Sequence, residues 1–114
     1  MAPSAIFGPS AKIAFHQSPS PNVVANRVRF HAVGTTPDLT MPFDEVRPQP
    51  APDSDGFTRI ALSALPKAST IDGETDIAVT AVDAAGNESP FLDIIDVDLD
   101  MVPPQAPTDG SVEA

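Results

Sequence analysis

Residues 77–90 read Ile77-Ala78-Val79-Thr80-Ala81-Val82-Asp83-Ala84-Ala85-Gly86-Asn87-Glu88-Ser89-Pro90. From Ile77 to Ala81 larger and smaller side chains alternate at every second position, the period of an extended chain with one face turned to a core. Ile77, Val79 and Ala81 share the inward face; Ala78 and Thr80 share the outward one. The pattern breaks at Ala85-Gly86-Asn87, a turn signal, because Gly and Asn accept the left-handed backbone that a tight reversal needs.

The same two-residue period recurs on both sides of this stretch. Lys12-Ile13-Ala14-Phe15-His16 turns Ile13 and Phe15 to one face, and Arg27-Val28-Arg29-Phe30-His31 turns Val28 and Phe30 inward against Arg27, Arg29 and His31. Thr58-Arg59-Ile60-Ala61-Leu62 places Ile60 and Leu62 inward, and Ile95 through Met101 carries apolar residues at 95, 97, 99 and 101. Each reads as a half-buried strand. Ser18-Pro19-Ser20-Pro21, Gly34-Thr35-Thr36-Pro37, Pro48 through Gly56 and Ile71-Asp72-Gly73 read as turns or loops. Residues 40–56 hold Pro42, Pro48, Pro50 and Pro52, so they form a loop or a short edge strand, since proline cannot donate to a ladder. Short strands with such breaks between them predict an all-β, antiparallel two-sheet β-sandwich. Its expected core is Phe15, Val28, Phe30, Ile60, Leu62, Leu65, Ile77, Val79, Ala81, Val97 and Leu99.

The segment Thr80 through Pro90 resembles the end of strand F, the F–G loop and the start of strand G in fibronectin type III domains, where an alternating strand runs into A-V-D-x-x-G-N-E-S. Leu62-Ser63-Ala64-Leu65-Pro66 resembles the end of strand E and its corner, Ile13 through Pro19 strand B and its exit, and Val28-Arg29-Phe30 strand C. The resemblance covers residues 11–102, leaving 1–10 as an N-terminal arm or strand A, with Ala2–Gly8 its candidate, and 103–114 as a Pro-rich tail or linker. Phe15 stands where that family usually has Trp, and Ile77 where it usually has Tyr, so the hydroxyl tie at the E–F corner is lost. The resemblance implies a non-catalytic module that spaces, displays or binds through loops and sheet edges.

Composition sets further limits. The chain has 114 residues, suiting one domain. It contains no Cys, which removes thiol chemistry, zinc–thiolate sites and disulfides. The formal charge of −10 is lopsided: residues 1–70 carry +1, and residues 71–114 carry −11 with no Lys or Arg. Nucleic acid is not an expected partner, because no basic stripe exists to displace its counterions. No apolar run suits membrane insertion, and the opening MAPSAIFGPS lacks the basic and apolar regions of an intact secretory signal.

Nothing in the sequence assembles a catalytic constellation. There is no G-x-S-x-G elbow, Gly-rich phosphate loop or H-E-x-x-H, and His16 and His31 read as solvated residues on outward strand faces. The expectation is no enzyme, no cofactor and no assigned metal site; a small-molecule substrate is disfavoured, and a calcium-dependent binder stays open as a third, disfavoured reading. Asp96, Asp98 and Asp100 project from one strand face about 7 Å apart, too spread to form a calcium shell alone. Asp53-Ser54-Asp55-Gly56 matches part of a calcium loop, but Ala51 and Leu62 occupy its first and last ligand positions, so it reads as an Asp-Gly turn. Asn87-Glu88-Ser89 fits the N-glycosylation pattern, but the following Pro90 and the loop motif around it favour a structural role.

If strands C, F and G lie side by side, Arg27 and Arg29 reach across Ala78 and Thr80 to Asp96, Asp98 and Asp100 in a surface charge network. The tail is the expected partner-binding element: Pro103, Pro104, Pro107 and Val112 lie on an extended arm suited to adding to a sheet edge on a neighbouring subunit. The same tail also resembles the lead-in to a following repeat. The expected partners are protein subunits of a larger assembly. A small module opening with Met and lacking a signal suits a phage virion component, a capsid decoration or tail protein. The alternative is a repeat of a bacterial surface or secreted protein, an extracellular adhesin or spacer.

Overall fold

A computed structural model describes residues 5–114. The chain is all-β. Among the described residues seven strands follow in order: β1 Ile6–Phe7, β2 Lys12–Phe15, β3 Val23–His31, β4 Asp44–Val46, β5 Thr58–Ala61, β6 Asp72–Asp83 and β7 Leu92–Asp100. Two 3₁₀ turns, Leu62–Ala64 and Pro66–Thr70, join β5 to β6. Strands β1-β7-β6-β3-β4 form a curled five-stranded sheet, and β2-β5 form a two-stranded one. Each strand expected from alternation is present, and β4 is the short edge strand within 40–56.

The core draws on both sheets. Ile13 and Phe15 of β2 and Ile60 of β5 cluster with Val28 of β3, Ile77 and Val79 of β6, and Leu99 of β7. Leu62 and Ala68 from the two 3₁₀ turns, and Leu65 between them, join that cluster. Pro66 starts the second turn, where a missing N–H costs nothing. Of the expected core, Phe30 and Val97 are only half-buried and pack against its margin.

Four local expectations need correction. The larger sheet is mixed, because β1 pairs with β7 in parallel, Ile6 beside Asp98 and Phe7 beside Leu99. Of the proposed strand A, only Ile6–Phe7 is a strand; residues 1–4 lie outside the described residues. Ile71-Asp72-Gly73 is not a turn: β6 begins at Asp72, and Gly73, with φ of 126°, pairs with Leu99. A glycine tolerates that angle inside a strand, so a turn signal and a strand start coincide.

The fourth correction lies in β7. Thr75 pairs with Val97 but Ile77 pairs with Ile94, so Ile95 and Asp96 together oppose Asp76 in a bulge. Asp96 takes a φ of 56° and Ile95 is 64% exposed. Inward positions are therefore Ile94, Val97 and Leu99, and the strict alternation expected from Ile95 is shifted by one residue at its start.

Candidate interaction surfaces and the outer sheet face

The face of the larger sheet turned away from the core carries charged side chains from three adjacent strands. On β3 it presents Arg27, Arg29 and His31; across on β6 these oppose Thr80, Ala78 and Asp76. On β7, Asp93 lies beside Ala78, Asp98 beside Glu74 and Asp100 beside Asp72. The order β3-β6-β7 and the shared face match the sequence expectation, but the proposed charge network does not form. Arg27 and Arg29 sit across from the first part of β7, whereas Asp98 and Asp100 face other acids on the second part. The arginines bond elsewhere.

Their anchor is Glu88. Arg27 Nη1 donates to its Oε1 at 2.9 Å, and Arg29 Nη1 donates to its Oε2. The Thr80 hydroxyl also donates to that second oxygen. Arg27 Nε reaches Glu45 at 3.0 Å, while Arg29 donates to the carbonyls of Met41 and Leu39, each at 3.2 Å. The Phe43 ring lies 4.3 Å from the Arg27 guanidinium and 4.9 Å from that of Arg29, with Phe91 at 5.5 Å from Arg29. The residues around 39–43 and 88–91 thus cover this face, and Arg29 is 0% exposed. Burial pushes the Glu88 carboxyl up, but hydrogen bonds from Arg29, Thr80 and Arg27 outweigh it and hold it below the usual glutamate value.

The loop motif positions that anchor. The Asp83 carboxylate accepts the N–H groups of Ala85 at 3.0 Å and Asn87 at 2.8 Å, and Gly86 takes a φ of 89°. Ala81 N–H donates to Ser89 Oγ at 2.9 Å, and Glu88 bridges to Val82. Asn87 Nδ2 is held on Asp83 at 3.1 Å. Asp83, Gly86, Asn87 and Ser89 therefore shape the turn, and Glu88 is delivered to the arginines. Sequence reasoning placed the turn but missed the Glu88 clamp, because alternation tells only which way a side chain points, never what folds over it.

Other singled-out residues are placed as follows. Asp53 and Asp55 bind Arg59 at 2.7 Å each and shape the turn before β5; Arg59 and the Phe57 N–H hold the Asp55 carboxyl down at about 2. His16 is exposed and its ring lies 4.2 Å from that of Phe57. His31 is not solvated: its side chain is 2% exposed and bonds Thr35 and Asp93.

An apolar groove of about 470 Å³ runs beside β2, lined by Phe7, Ala11, Ile13, Leu62, Ile94 and Leu99 among others. The Leu62 N–H donates to the Ala11 carbonyl at 2.9 Å. By the alternation of an antiparallel ladder, Ile13 and Phe15 then bond to β5, while Lys12 and Ala14 turn their N–H and C=O groups outward. Among the described residues no strand lies on that side of β2, because β1 has paired with β7 instead. Pro103, Pro104, Pro107 and Val112 are all exposed on a tail that makes no hydrogen bond to the described residues beyond the Met101–Ile71 contact just before it.

No protein-family model, no curated protein and no solved structure matches this chain.

Proposed function

We propose that the chain is a fibronectin type III-like sandwich serving as a non-enzymatic interaction module, joined to neighbouring copies by exchange of its C-terminal arm. The observation that carries this reading is the outward edge of β2 beside an apolar groove, together with an extended tail that does not fold back on its own domain. A strand edge supplies main-chain donors and acceptors at fixed spacing, and an extended segment of a neighbour satisfies them while its alternate side chains enter the groove. Prolines at 103, 104 and 107 restrict the free arm and reduce the entropy lost on docking. The core shared between the two sheets supports the sandwich reading, as does the loop motif at Asp83–Ser89. A repeating shell or tail of a virion is the setting that suits a small module linked copy to copy.

Because the chain has no cysteine, an introduced pair reports on docking cleanly. Chains carrying Ala14→Cys, mixed with chains carrying Ala106→Cys, should form a disulfide between copies under mild oxidation. Deleting 103–114 should leave the thermal transition in place while abolishing self-association measured by light scattering. A truncated chain that associates as well as the full one, or a mixture that yields no cross-link, would sink the arm reading.

A further inference from the structure

We infer that His31, Asp76 and Asp93 form a binding site for a divalent transition metal, with Zn²⁺ the reference ion. The three residues come from adjacent strands on one sheet face: His31 of β3 directly opposes Asp76 of β6, and Asp93 of β7 lies diagonal to Asp76. One ligand atom from each lies within 4.8 Å of the others. Around a tetrahedral ion with bonds of about 2.0–2.2 Å, ligand atoms sit about 3.3–3.6 Å apart, a spacing within the span of this trio.

The proton inventory around His31 points to a cation. The Thr35 hydroxyl donates to the Ala32 carbonyl at 2.5 Å, so its oxygen has only lone pairs left for His31 Nδ1 at 2.8 Å. In the tautomer set by that donation Nδ1 carries the proton, and in the neutral ring Nε2 is then the lone-pair end. That lone pair faces Asp93 Oδ1 at 2.9 Å, two electron-rich atoms that need a positive centre at their junction. A proton is one such centre. It leaves the trio with a net negative charge, because Asp76 is 2% exposed and its carboxylate is held by the N–H groups of Gly34 at 3.1 Å and Asp96 at 2.9 Å. A divalent ion with a neutral imidazole and two carboxylates brings the trio to zero.

The surroundings favour the larger charge. Arg29, the next cation on this face of β3, is committed to Glu88 and two carbonyls. Glu74, Asp96 and Asp98 are the other charged groups nearby on β6 and β7, all acidic. The Thr35 bond fixes the imidazole as an orienting partner does for a metal-ligating histidine. The bulge at Ile95-Asp96 turns the Asp96 N–H onto Asp76 and so aims that carboxylate. Asp93, 29% exposed in its side chain, gives an ion and a completing water their way in.

The test uses the full chain. Calorimetry with Zn²⁺ at neutral pH should give one ion per chain, and the imidazole ¹⁵N signal of His31 Nε2 should move to a metal-bound position with loss of its proton. Asp93→Asn, a change at the exposed rim, should weaken Zn²⁺ at least about tenfold without unfolding the chain. His16→Gln should change nothing, and His31→Gln should abolish binding. Absence of Zn²⁺ uptake, an Nε2 proton that persists in saturating Zn²⁺, or an unchanged affinity in Asp93→Asn would each overturn the proposal in favour of a proton-held ion pair.

Discussion

At the scale of single residues, the position on which most depends is Glu88. It answers Arg29, a guanidinium with no exposure to water, and removing it leaves that charge buried with two carbonyls and the Phe43 and Phe91 rings but no anion. Glu88→Ala should therefore destabilise the fold by about 3–5 kcal/mol, read from urea unfolding. The same contact gives a direction with pH. The Glu88 carboxyl sits lower in the folded chain than in the unfolded one, so its contribution is complete above the unfolded value of about 4.3 and is lost as pH falls through the folded value. Acid titration of the Glu88→Ala chain should show a shallower loss of stability below pH ~4.3 than the parent. A parallel decline in the two proteins would remove Glu88 from the account.

Among the elements, β7 shows how one inserted residue redistributes a whole pattern. The run from Ile95 to Met101 looks like uninterrupted alternation, yet Ile95 faces solvent and Ile94 faces the core margin. Two consecutive isoleucines make the register ambiguous, and the choice falls to the bulge, whose extra residue is stabilised by the Asp76 carboxylate rather than by anything local in β7. Ile95→Ser should accordingly shift stability by no more than about 0.5 kcal/mol. Leu62→Ala, by contrast, should cost about 2–5 kcal/mol, because Leu62 is 3% exposed and fills the junction between β5 and the 3₁₀ turns. Paired thermal melts of the two variants check both; equal losses would contradict the bulged register.

For the molecule as a whole, the strands were legible because alternation is a local record of which face each side chain takes. Lys12–Phe15, Thr58–Ala61 and the middle of β6 are readable in this way from the chain alone. Contacts made by coverage were not. Arg29 and His31 alternate outward and read as solvated, but the residues near 39–43 and Thr35 fold over them, and no periodicity in an irregular, proline-bearing loop announces that. The charge partners failed for a related reason: the face was correct, but alternation does not record how far β7 is offset along β6, and that offset sets Arg29 level with Asp93 while Asp98 and Asp100 lie level with Glu74 and Asp72. Four acids of residues 71–114 gather at one end of the outer face, with Glu74 beside Asp98 and Asp72 beside Asp100.

The parallel pairing of β1 with β7 has a mechanical consequence. Ile6–Phe7 and Asp98–Leu99 run in the same direction, so tension between the N-terminal end of β1 and the C-terminal end of β7 slides one strand along the other. The bonds of this short patch are then loaded together in shear instead of opening one after another. Stretching between handles at the two ends should give an early, small yield as β1 slips, before the main rupture of β2–β7. Phe7 also lines the groove, so the same slip displaces one of its walls. Single-molecule extension with an Ile6→Pro variant, which should lose the early yield, measures it.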